Sequence, residues 1–477
     1  MQCLDWARLT ENNQIKSAQP VLPKFYNIKE LYRIFVQFPF ICTDTRKIVP
    51  NALFFCLKGE NYDGNRFVNE ALEKGARYVI TDVRSEMCDL RSEMCDLRYE
   101  IEGNKSQISK PIIVVDDVLK TLQELANYHR NQLKIPVIGI TGTNGKTTTK
   151  ELIASVLSKK YKTAYTCGNL NNHIGVPLTL LSITPEDEIA VIEMGANHLG
   201  EIEELCQIAQ PEYGLITNIG KAHLEGFGTI ENIIETKMAL YRAADVLFVN
   251  AEDEVLRCAV SKNEKGKFIS RWLQSTERVA FYGNNTDVAG SIVEMNPCLV
   301  VNLFSNIIQT QLTGNYNLSN ILGAAAIGRY FGVSEQDICE AIAEYSPQNN
   351  RSQIIKNETN TIIADYYNAN PTSMKAALEN FLQITAPQKL AILGDMLELG
   401  ESSVPEHQKI INFCQASHLE TIFIGENFFK IKNNHFHFFK NVDECNNYIK
   451  DNTIQNKFVL LKGSRGIHLE EIITIKN

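Results

Sequence analysis

The chain has 477 residues, 44% of them hydrophobic and 22% charged, and its formal net charge is −9. At roughly 100–200 residues per domain, this length predicts about three domains, and the apolar share excludes a disordered chain. The acidic balance argues against nucleic acid as a partner, but it leaves room for a small anionic substrate in a basic cleft. The twelve cysteines are scattered, which fits a cytoplasmic protein, and we expect no membrane span.

Residues 1–111 are predicted to form a small N-terminal α/β domain. A strand-like run, ALFFCLKG (52–59), is followed by an amphipathic helix (67–76) and the short strand YVIT (78–81). The heptapeptide RSEMCDL occurs twice in succession over 84–97. Two copies are too few for a repeat architecture, so we interpret them as a local duplication in a loop or helix extension.

Residues 112–313 are predicted to form a central domain around a doubly wound parallel sheet. The run IPVIGIT (135–141) is continuous and rich in β-branched residues, as in a strand buried on both faces. Further strands are expected over 189–194, 213–219 and 246–250, alternating with helices. The β-rich stretch that follows them is assigned to the end of this domain.

Residues 314–477 are predicted to form a C-terminal, Rossmann-like α/β domain. It opens with the helical segment NLSNILGAAAIGRYFG. The strands expected in it cover 361–366, 389–395, 421–426 and 457–463. Helices between these strands predict a second open α/β sheet.

The clearest chemical signal is the loop GTNGKTT, which lies between the buried strand and a helix predicted to begin near Thr147–Thr148. Glycines let a backbone turn tightly around phosphates, and a helix N-terminus presents free N–H groups to them. In such loops the lysine, here Lys146, reaches the β- and γ-phosphates, and the Thr147 hydroxyl joins Mg²⁺. The loop is a variant, because the strict pattern has glycine where this chain has Ile140. The predicted nucleotide-binding residues are Gly142, Thr143, Asn144, Gly145, Lys146, Thr147 and Thr148.

Other polar residues are expected beside this loop. Glu193 ends one predicted strand and His223 follows another, at the sheet edge where open α/β sheets bind ligands. Both side chains are possible Mg²⁺ ligands, and the alternatives are a helix-capping acid and a structural histidine. The amide-rich segment that contains Asn169, Asn171 and Asn172 suits hydrogen bonding to a polar ligand, or is an ordinary loop.

Taken in order, several motifs resemble the ATP-dependent Mur ligases of bacterial cell-wall synthesis. They are DTR (44–46), LKGENYDGNRF (57–67), GTNGKTTTKE (142–151), GNLNNHIGVPLTLL (168–181), EMGANHLGEIEEL (193–205), AHLEGFG (222–228), GNYNLSNILGAAA (314–326), DYYNANPTSM (365–374), LGDMLELG (393–400) and KGSRG (462–466). Within them, YNANP (367–371) resembles the branch that joins D-alanyl-D-alanine to the UDP-N-acetylmuramoyl tripeptide.

The resemblance implies an ATP-dependent amide ligase with those two substrates, and we expect a monomer. In this family the substrate carboxylate attacks the γ-phosphate of ATP, and the dipeptide amine then displaces phosphate from the acyl phosphate. Two Mg²⁺ sites are also implied, one at Thr147 and Glu193, the other at His223 and a carbamylated lysine that Lys237 matches. Without the resemblance, Lys237 would be interpreted as a solvated helix lysine.

The resemblance also implies further substrate contacts. The residues expected to bind the UDP moiety in the N-terminal domain are Thr45, Arg46 and Lys58. Those expected around the adenine, ribose and phosphates of ATP are Asn317, Asn320, Arg351 and Asp365. Those expected at the dipeptide, in a C-terminal domain that closes over ATP, are Asn368, Asn370, Lys462, Ser464 and Arg465. Tyr316 and Ala364 stand where the family usually has a histidine and an aspartate.

Two alternatives stay open. One is a related ligase with another acceptor, such as the tripeptide-forming Mur ligase or a folylpolyglutamate synthetase, against which YNANP argues. The other is a nucleotide-binding module without ligase activity. Glu193, His223 and Lys237, all in register with the family pattern, argue against that second alternative.

Overall fold

A computed structural model describes residues 27–60, 62–82, 111–261 and 278–472, and the duplicated heptapeptide at 84–97 lies outside them. The chain divides into two compact units, Met1–Thr121 and Leu122–Asn477. Within the described part of the chain, no helix has the length and apolar character needed to cross a membrane.

The first unit contains a four-stranded parallel sheet in the order β1-β2-β5-β6. Its elements are α1 (Ile28–Gln37), β1 (Ile41–Cys42), β2 (Leu53–Phe55), β3 (Lys58–Gly59), β4 (Tyr62–Asp63), α2 (Val68–Glu73), β5 (Tyr78–Thr81) and β6 (Ile112–Val114). Strand β2 is entirely buried, as its apolar sequence requires. Because β6 pairs with β5, it belongs to this sheet, and we propose that the domain boundary predicted at 111/112 lies beyond it. A helix, α3 (Val118–Gln132), follows.

The second unit begins with a six-stranded, all-parallel sheet in the order β12-β11-β10-β7-β9-β8, which confirms the predicted doubly wound sheet. Its elements are β7 (Val137–Thr141), α4 (Lys146–Leu157), β8 (Thr163–Tyr165), α5 (Gly175–Leu181), β9 (Ile189–Glu193), α6 (Glu201–Ala209), β10 (Tyr213–Ile216), α7 (Leu224–Phe227), α8 (Ile230–Ala243), β11 (Val246–Asn250), α9 (Glu254–Val260) and β12 (Arg278–Tyr282). Strand β7 lies between β9 and β10, so the carboxyl ends of these three strands meet at one edge. The helix predicted to begin near Thr147–Thr148 begins at Lys146.

A three-stranded antiparallel sheet and two helices complete the central domain. They are β13 (Gly290–Met295), β14 (Cys298–Leu303), β15 (Asn306–Thr313), α10 (Asn317–Tyr330) and α11 (Glu335–Glu344). Ile321 and Ile327 of α10 and Ile338 of α11 share one hydrophobic core with Ile138 and Leu215 of the central sheet. These helices therefore pack with the central domain. We propose that the next boundary, predicted at 313/314, lies after α11.

The C-terminal domain is an open six-stranded sheet in the order β16-β17-β21-β18-β19-β20, parallel except for the edge strand β16. Its elements are β16 (Gln353–Lys356), β17 (Thr361–Asp365), α12 (Pro371–Gln383), β18 (Lys389–Gly394), α13 (Ser403–Ala416), β19 (Thr421–Ile424), α14 (Glu426–Lys430), β20 (His437–Phe439), α15 (Val442–Asp451) and β21 (Phe458–Lys462). Separate hydrophobic cores cover its two faces, which confirms the predicted second α/β sheet. Asp365 and Lys462 end neighbouring strands in register.

Candidate active site

The loop between β7 and α4 depends on two glycines. Gly142 has a φ of +146°, and a Cβ there would lie 1.9 Å from the Thr217 hydroxyl. Gly145 has a φ of +82°, and its Cβ would lie 2.7 Å from Asn320 Oδ1. Side chains are therefore excluded from the backbone that leads into the helix, where free N–H groups favour anions.

The segment after β10 holds this loop in place. The Thr143 hydroxyl donates to the carbonyl of Gly220 at 3.1 Å and accepts from its N–H at 2.9 Å. Asn218 accepts from the Asn144 N–H at 3.1 Å and donates to the Asn144 carbonyl at 3.0 Å. Thr217 donates to the same carbonyl at 2.6 Å. The cradle is therefore preorganised by protein contacts.

Lys146 is the first residue of α4 and is partly buried. Its ammonium donates to the carbonyls of Gly142 at 2.8 Å and Thr143 at 3.1 Å, so it lies over the loop. Burial lowers the pKa of Lys146 to about 8, against the opposing effect of the nearby Glu193 carboxylate. The ammonium has only uncharged oxygens as hydrogen-bond partners here, and an anionic phosphate is a better one.

Glu193 ends β9 and is 1% exposed. Its Oε1 accepts from the Thr147 hydroxyl at 3.2 Å and from the Asn171 amide at 2.7 Å. Its Oε2 is buried without a hydrogen-bond partner. The helix-capping alternative for Glu193 is wrong, because the N-cap of the next helix is Gly200. An unsatisfied carboxylate oxygen beside a hydroxyl is the kind of oxygen site that suits Mg²⁺.

Sequence reasoning missed Lys150, which is fully buried and whose Nζ has no hydrogen-bond partner. This atom lies 4.0 Å from Glu193 Oε2 and 3.5 Å from Glu151 Oε1. The available signal was spacing, because residues three apart on a helix share a face and Lys150 follows Thr147 by three.

Lys237 on α8 is only 3% exposed, so the alternative of a solvated helix lysine is wrong. Its Nζ donates to the Gly142 carbonyl at 3.0 Å. Burial, helped by the charge of Lys146, holds the pKa of Lys237 well below its ordinary value. The two lysines thus meet on one carbonyl of the phosphate loop.

His223 lies in the loop after β10, with Nδ1 2.5 Å from Glu398 Oε2 of the C-terminal domain. It lines the same cleft as Lys146 and Glu193. Among the described residues, no cluster of three or more histidine, cysteine or acidic side chains is arranged to hold a metal ion. A metal ion in this cleft would therefore need further ligands from hydroxyls, from bound phosphates or from a modified side chain.

Asn317 and Asn320 lie near the start of α10 and are buried. Asn320 donates to Asn317 at 2.7 Å and accepts from the Thr149 hydroxyl of α4 at 3.0 Å. The Tyr316 hydroxyl lies 2.9 Å from that of Ser352. Tyr316, found where the family usually has histidine, therefore supports the segment that carries Arg351.

The C-terminal domain supplies the opposite wall of the cleft. The Arg351 guanidinium lies over the ring of Tyr367 at 3.9 Å, and its buried Nε has no hydrogen-bond partner. Lys462 donates to Asp365 at 2.7 Å, so these two charges neutralise each other. Tyr367 was not predicted as a site residue, although it begins the YNANP motif.

Asn370 joins the two walls. Its amide donates to Asn144 Oδ1 of the phosphate loop at 2.8 Å, while its Oδ1 caps α12 through the Ser373 N–H. Asn368 is exposed, and its Oδ1 accepts from the next N–H in the chain. The Ser464 hydroxyl accepts from Leu397 N–H at 3.0 Å, which is a structural contact.

A cleft of about 600 Å³ gathers most of the predicted residues. Those that line it are Thr143, Asn144, Gly145, Lys146, Thr147, Thr148, Asn171, Asn172, Glu193, His223, Asn317, Asn320, Arg351, Asp365, Asn368, Asn370 and Lys462. Those outside its lining are Gly142, Asn169, Lys237, Ser464 and Arg465.

The predicted UDP-binding residues lie in the first unit. Arg46 is exposed and forms a bidentate pair with Asp44, with Nε and Nη2 at 2.9 and 2.8 Å from its oxygens. Hydrogen bonds from Arg46 lower the pKa of Asp44 to about 2. Lys58 donates to Asp82 at 3.0 Å, and Thr45 is buried. Both cations are thus held by carboxylates.

Comparisons with known proteins agree with this architecture. Family models match the chain as "Mur ligase family, catalytic domain" over residues 37–130, as "Mur ligase middle domain" over 140–328 and as "Mur ligase, glutamate ligase domain" over 350–465. The UDP-N-acetylmuramoyl-tripeptide--D-alanyl-D-alanine ligase of Bacillus subtilis is 33% identical, with 91% of this chain and 92% of that protein aligned. The chain belongs to the Mur ligase family.

Further relatives and solved structures align with this Mur ligase over almost its whole length. The Escherichia coli ligase of the same name is 30% identical, with 91% of this chain and 92% of that protein aligned. A crystal structure of MurF from Acinetobacter baumannii superposes with a TM-score of 0.75 at 30% identity, covering 91% of this chain and 92% of that one. MurF from Thermotoga maritima in complex with ADP gives 0.73 at 25% identity, covering 91% and 96%. The predicted three-domain α/β fold is confirmed.

Proposed function

We propose that this chain is an ATP-dependent ligase that joins D-alanyl-D-alanine to UDP-N-acetylmuramoyl tripeptide in peptidoglycan precursor synthesis. The observation that carries the proposal is the 2.8 Å hydrogen bond between Asn370 of the YNANP motif and Asn144 of the phosphate loop. It brings a nucleotide cradle and the motif of the dipeptide-adding branch into one cleft. The similar ligases of Bacillus subtilis and Escherichia coli, aligned over nearly their whole length, support the same activity.

The reaction proceeds in two displacements. A carboxylate oxygen of the tripeptide bonds to the γ-phosphorus of ATP, the bond to the β–γ bridging oxygen breaks, and ADP leaves. The dipeptide amine then bonds to the carbonyl carbon of the acyl phosphate and gives up a proton, and inorganic phosphate departs as the C–O bond breaks. Each displacement brings anions or dipoles together, so fixed positive groups and N–H donors contribute most to lowering the barrier.

Lys146, Arg351 and the start of α4 provide those groups. The α4 N-terminus offers N–H groups to the phosphates, and Lys146 is free to exchange its two carbonyl partners for a phosphate oxygen. Arg351, stacked on Tyr367, offers the buried Nε that has no partner. Asn317 and Asn320 form the wall on which we place the adenine, and Asp365 with Lys462 borders the ribose and phosphates.

The residues at Glu193 fit a Mg²⁺ ion, because a buried carboxylate oxygen lacks a partner and the Thr147 hydroxyl adjoins its other oxygen. We propose that Thr147 and Glu193 hold one ion, and that His223 and Lys237 hold a second. Bound Mg²⁺ neutralises the charge of the phosphates during transfer.

Carbamylation is the modification that suits Lys237. Its Nζ is buried, contacts a carbonyl and has no carboxylate partner among the described residues. An uncharged amine reacts with CO₂ to give a carbamate, and the product is an anion with oxygen donors. This change replaces an amine beside Lys146 by an anion that attracts both Lys146 and a metal ion.

Substrate placement follows the domains. We propose that Asn368, Asn370 and Arg465 face the dipeptide and that Asn171 and Asn172 border the tripeptide. In the first unit, Thr45, Arg46 and Lys58 are the proposed contacts of the UDP moiety. The exposed guanidinium of Arg46, preset by Asp44, suits a diphosphate.

A coupled assay of ADP release tests the function. We expect release that requires both UDP-N-acetylmuramoyl tripeptide and D-alanyl-D-alanine, with a product whose mass is the sum of both less one water. A panel of single amino acids and glutamate acceptors separates the related ligases. ADP release without the dipeptide, or ligation of another acceptor in its place, would contradict the proposal.

A further inference from the structure

Two loops from different domains meet beside the nucleotide cleft. His223 follows β10 in the central domain, and Glu398 follows β18 in the C-terminal domain. His223 Nδ1 lies 2.5 Å from Glu398 Oε2. The N–H of Glu225 also donates to the carbonyl of Glu398 at 3.4 Å. The side-chain contact is therefore supported by a backbone contact between the same loops.

Both residues are held in an uncommon backbone conformation. The φ of His223 is +49° and that of Glu398 is +63°, although neither is a glycine. A left-handed conformation is unfavourable for a non-glycine residue, and such residues cluster at functional sites where their surroundings fix them. Both loops thus have an unfavourable backbone conformation at the residue that makes the contact.

The contact places Glu398 at Nδ1 of the imidazole, which leaves Nε2 as the nitrogen that can bind a ligand. A carboxylate at one ring nitrogen fixes the tautomer and the ring orientation and makes the other nitrogen a better ligand. His223 Nδ1 is buried 2.5 Å from Glu398 Oε2, a close contact outside regular hydrogen-bond geometry, and the side chain lines the cleft. The close contact with His223 is the main cause that lowers the pKa of Glu398.

We propose that Glu398 is a positioning residue that orients His223 from the opposite domain, so that Nε2 serves as a ligand at the nucleotide site. This inference rests on the proposed function, because His223 needs a metal ion to bind. As a consequence, the metal site depends on contact between the central and C-terminal domains. When the C-terminal domain moves away, His223 loses the carboxylate that orients it.

The first measurement reads the His223 ring directly. The protein with ¹⁵N-labelled histidine is examined by NMR at pH 8.5, without metal, and His223 is assigned among the nine histidines by His223→Gln. We expect Nδ1 to carry the proton in the unaltered protein. In Glu398→Ala we expect a mixture of both neutral tautomers, because the acceptor at Nδ1 is gone.

The second measurement is Mn²⁺ binding to the ADP-loaded full chain, followed by the electron paramagnetic resonance of free Mn²⁺. Loss of the carboxylate partner of a metal-bound histidine typically weakens metal binding about 10–100-fold. We expect the dissociation constant to rise about tenfold in Glu398→Ala, at the lower end of that range. Glu398→Gln keeps the size and an acceptor oxygen, so a smaller rise is expected.

Glu401→Ala is the matched control, because Glu401 is exposed and lies three residues further along the same loop. It should change neither the tautomer nor the Mn²⁺ affinity. If Glu398→Ala does not fold, the Mn²⁺ affinity of Glu398→Gln decides alone, and an unaltered affinity overturns the proposal. Where Glu398→Ala folds, the proposal requires both changes in it, and an unaltered tautomer or an unaltered Mn²⁺ affinity overturns it. If the unaltered protein binds ADP but no Mn²⁺, the proposed metal site itself fails, which is a separate result.

Discussion

Asn370 performs two tasks that substitutions can separate. Its Oδ1 caps α12 by accepting from the Ser373 N–H at 2.8 Å, and its Nδ2 donates to Asn144 Oδ1 at 2.8 Å. Serine is a good N-cap but too short to reach Asn144, whereas alanine does neither. Asn370→Ser therefore removes the contact between the two walls of the cleft, and Asn370→Ala removes the cap as well.

The magnitudes follow from these contacts. A lost N-cap costs about 1 kcal/mol, which in a domain of this size lowers the melting temperature by roughly 2–4 °C. A lost hydrogen bond of about 0.5–1.5 kcal/mol lowers kcat/KM up to about tenfold if the bond is made in the transition state. We expect both variants to lose activity equally and only Asn370→Ala to lose stability.

Ligation assays and thermal unfolding of the same preparations provide the test, with Ser373→Ala as the control. Ser373 accepts from the Asn370 N–H at 3.1 Å as the other half of the capping box, so its loss should lower stability but leave kcat/KM unchanged. Asn370→Ser with full activity would refute the role given to the Asn144 contact. So would an equal loss when the substitution is made in an Asn144→Ala background.

Three further outcomes are expected from the lysines of the cleft. Lys146→Ala should lose activity several hundredfold while remaining folded. Because the pKa of Lys146 is lowered to about 8, kcat/KM for ATP should fall as the pH rises above that value. Lys146→Arg should remove this decrease from the pH profile. Lys237→Ala should be nearly inactive and partly restored by acetate, which places a carboxylate where the carbamate was; restoration of Lys146→Ala by acetate would contradict this account. Lys150→Met should disturb Glu193, 4.0 Å away, and shift the Mg²⁺ concentration needed for half-maximal activity by more than threefold, and an unchanged requirement would make Lys150 purely structural.

The inner strands of both large sheets were predictable because their sequences are dictated by burial, whereas the edge strands β8, β16 and β20 were not predicted. VIGIT (137–141) and VLFVN (246–250) are runs of β-branched and other apolar residues in the sequence, and the structure has strands at these positions with nearly every residue buried. The phosphate loop was equally predictable, since Gly142 and Gly145 occupy backbone conformations that exclude a side chain. Burial of a strand and a backbone turn that excludes a side chain can both be recognised from the residues of the segment itself.

Helix α10 was grouped with the C-terminal sheet, although it packs on the central one, because its sequence lacks that kind of signal. Ten consecutive positions from Asn320 to Arg329 include eight hydrophobic or glycine residues, and the helix is buried around most of its circumference. Such a helix has no polar face to show which sheet it packs on. Only the shared core with Ile138 and Leu215 shows that it packs on the central sheet.

The contacts that make the cleft a site are the part that sequence reasoning reaches least. Asn144 and Asn370 are 226 residues apart, and neither residue type predicts the other as a partner. His223 and Glu398 each sit in a motif of their own, and their contact exists only because β10 and β18 present their carboxyl ends to the same cleft. Motifs therefore identify the functional residues on each wall of the cleft. The hydrogen bonds between the walls determine whether these residues come together in one site. A ligase that must bring a carboxylate, a triphosphate and an amine together depends on those few polar contacts more than on any single motif residue.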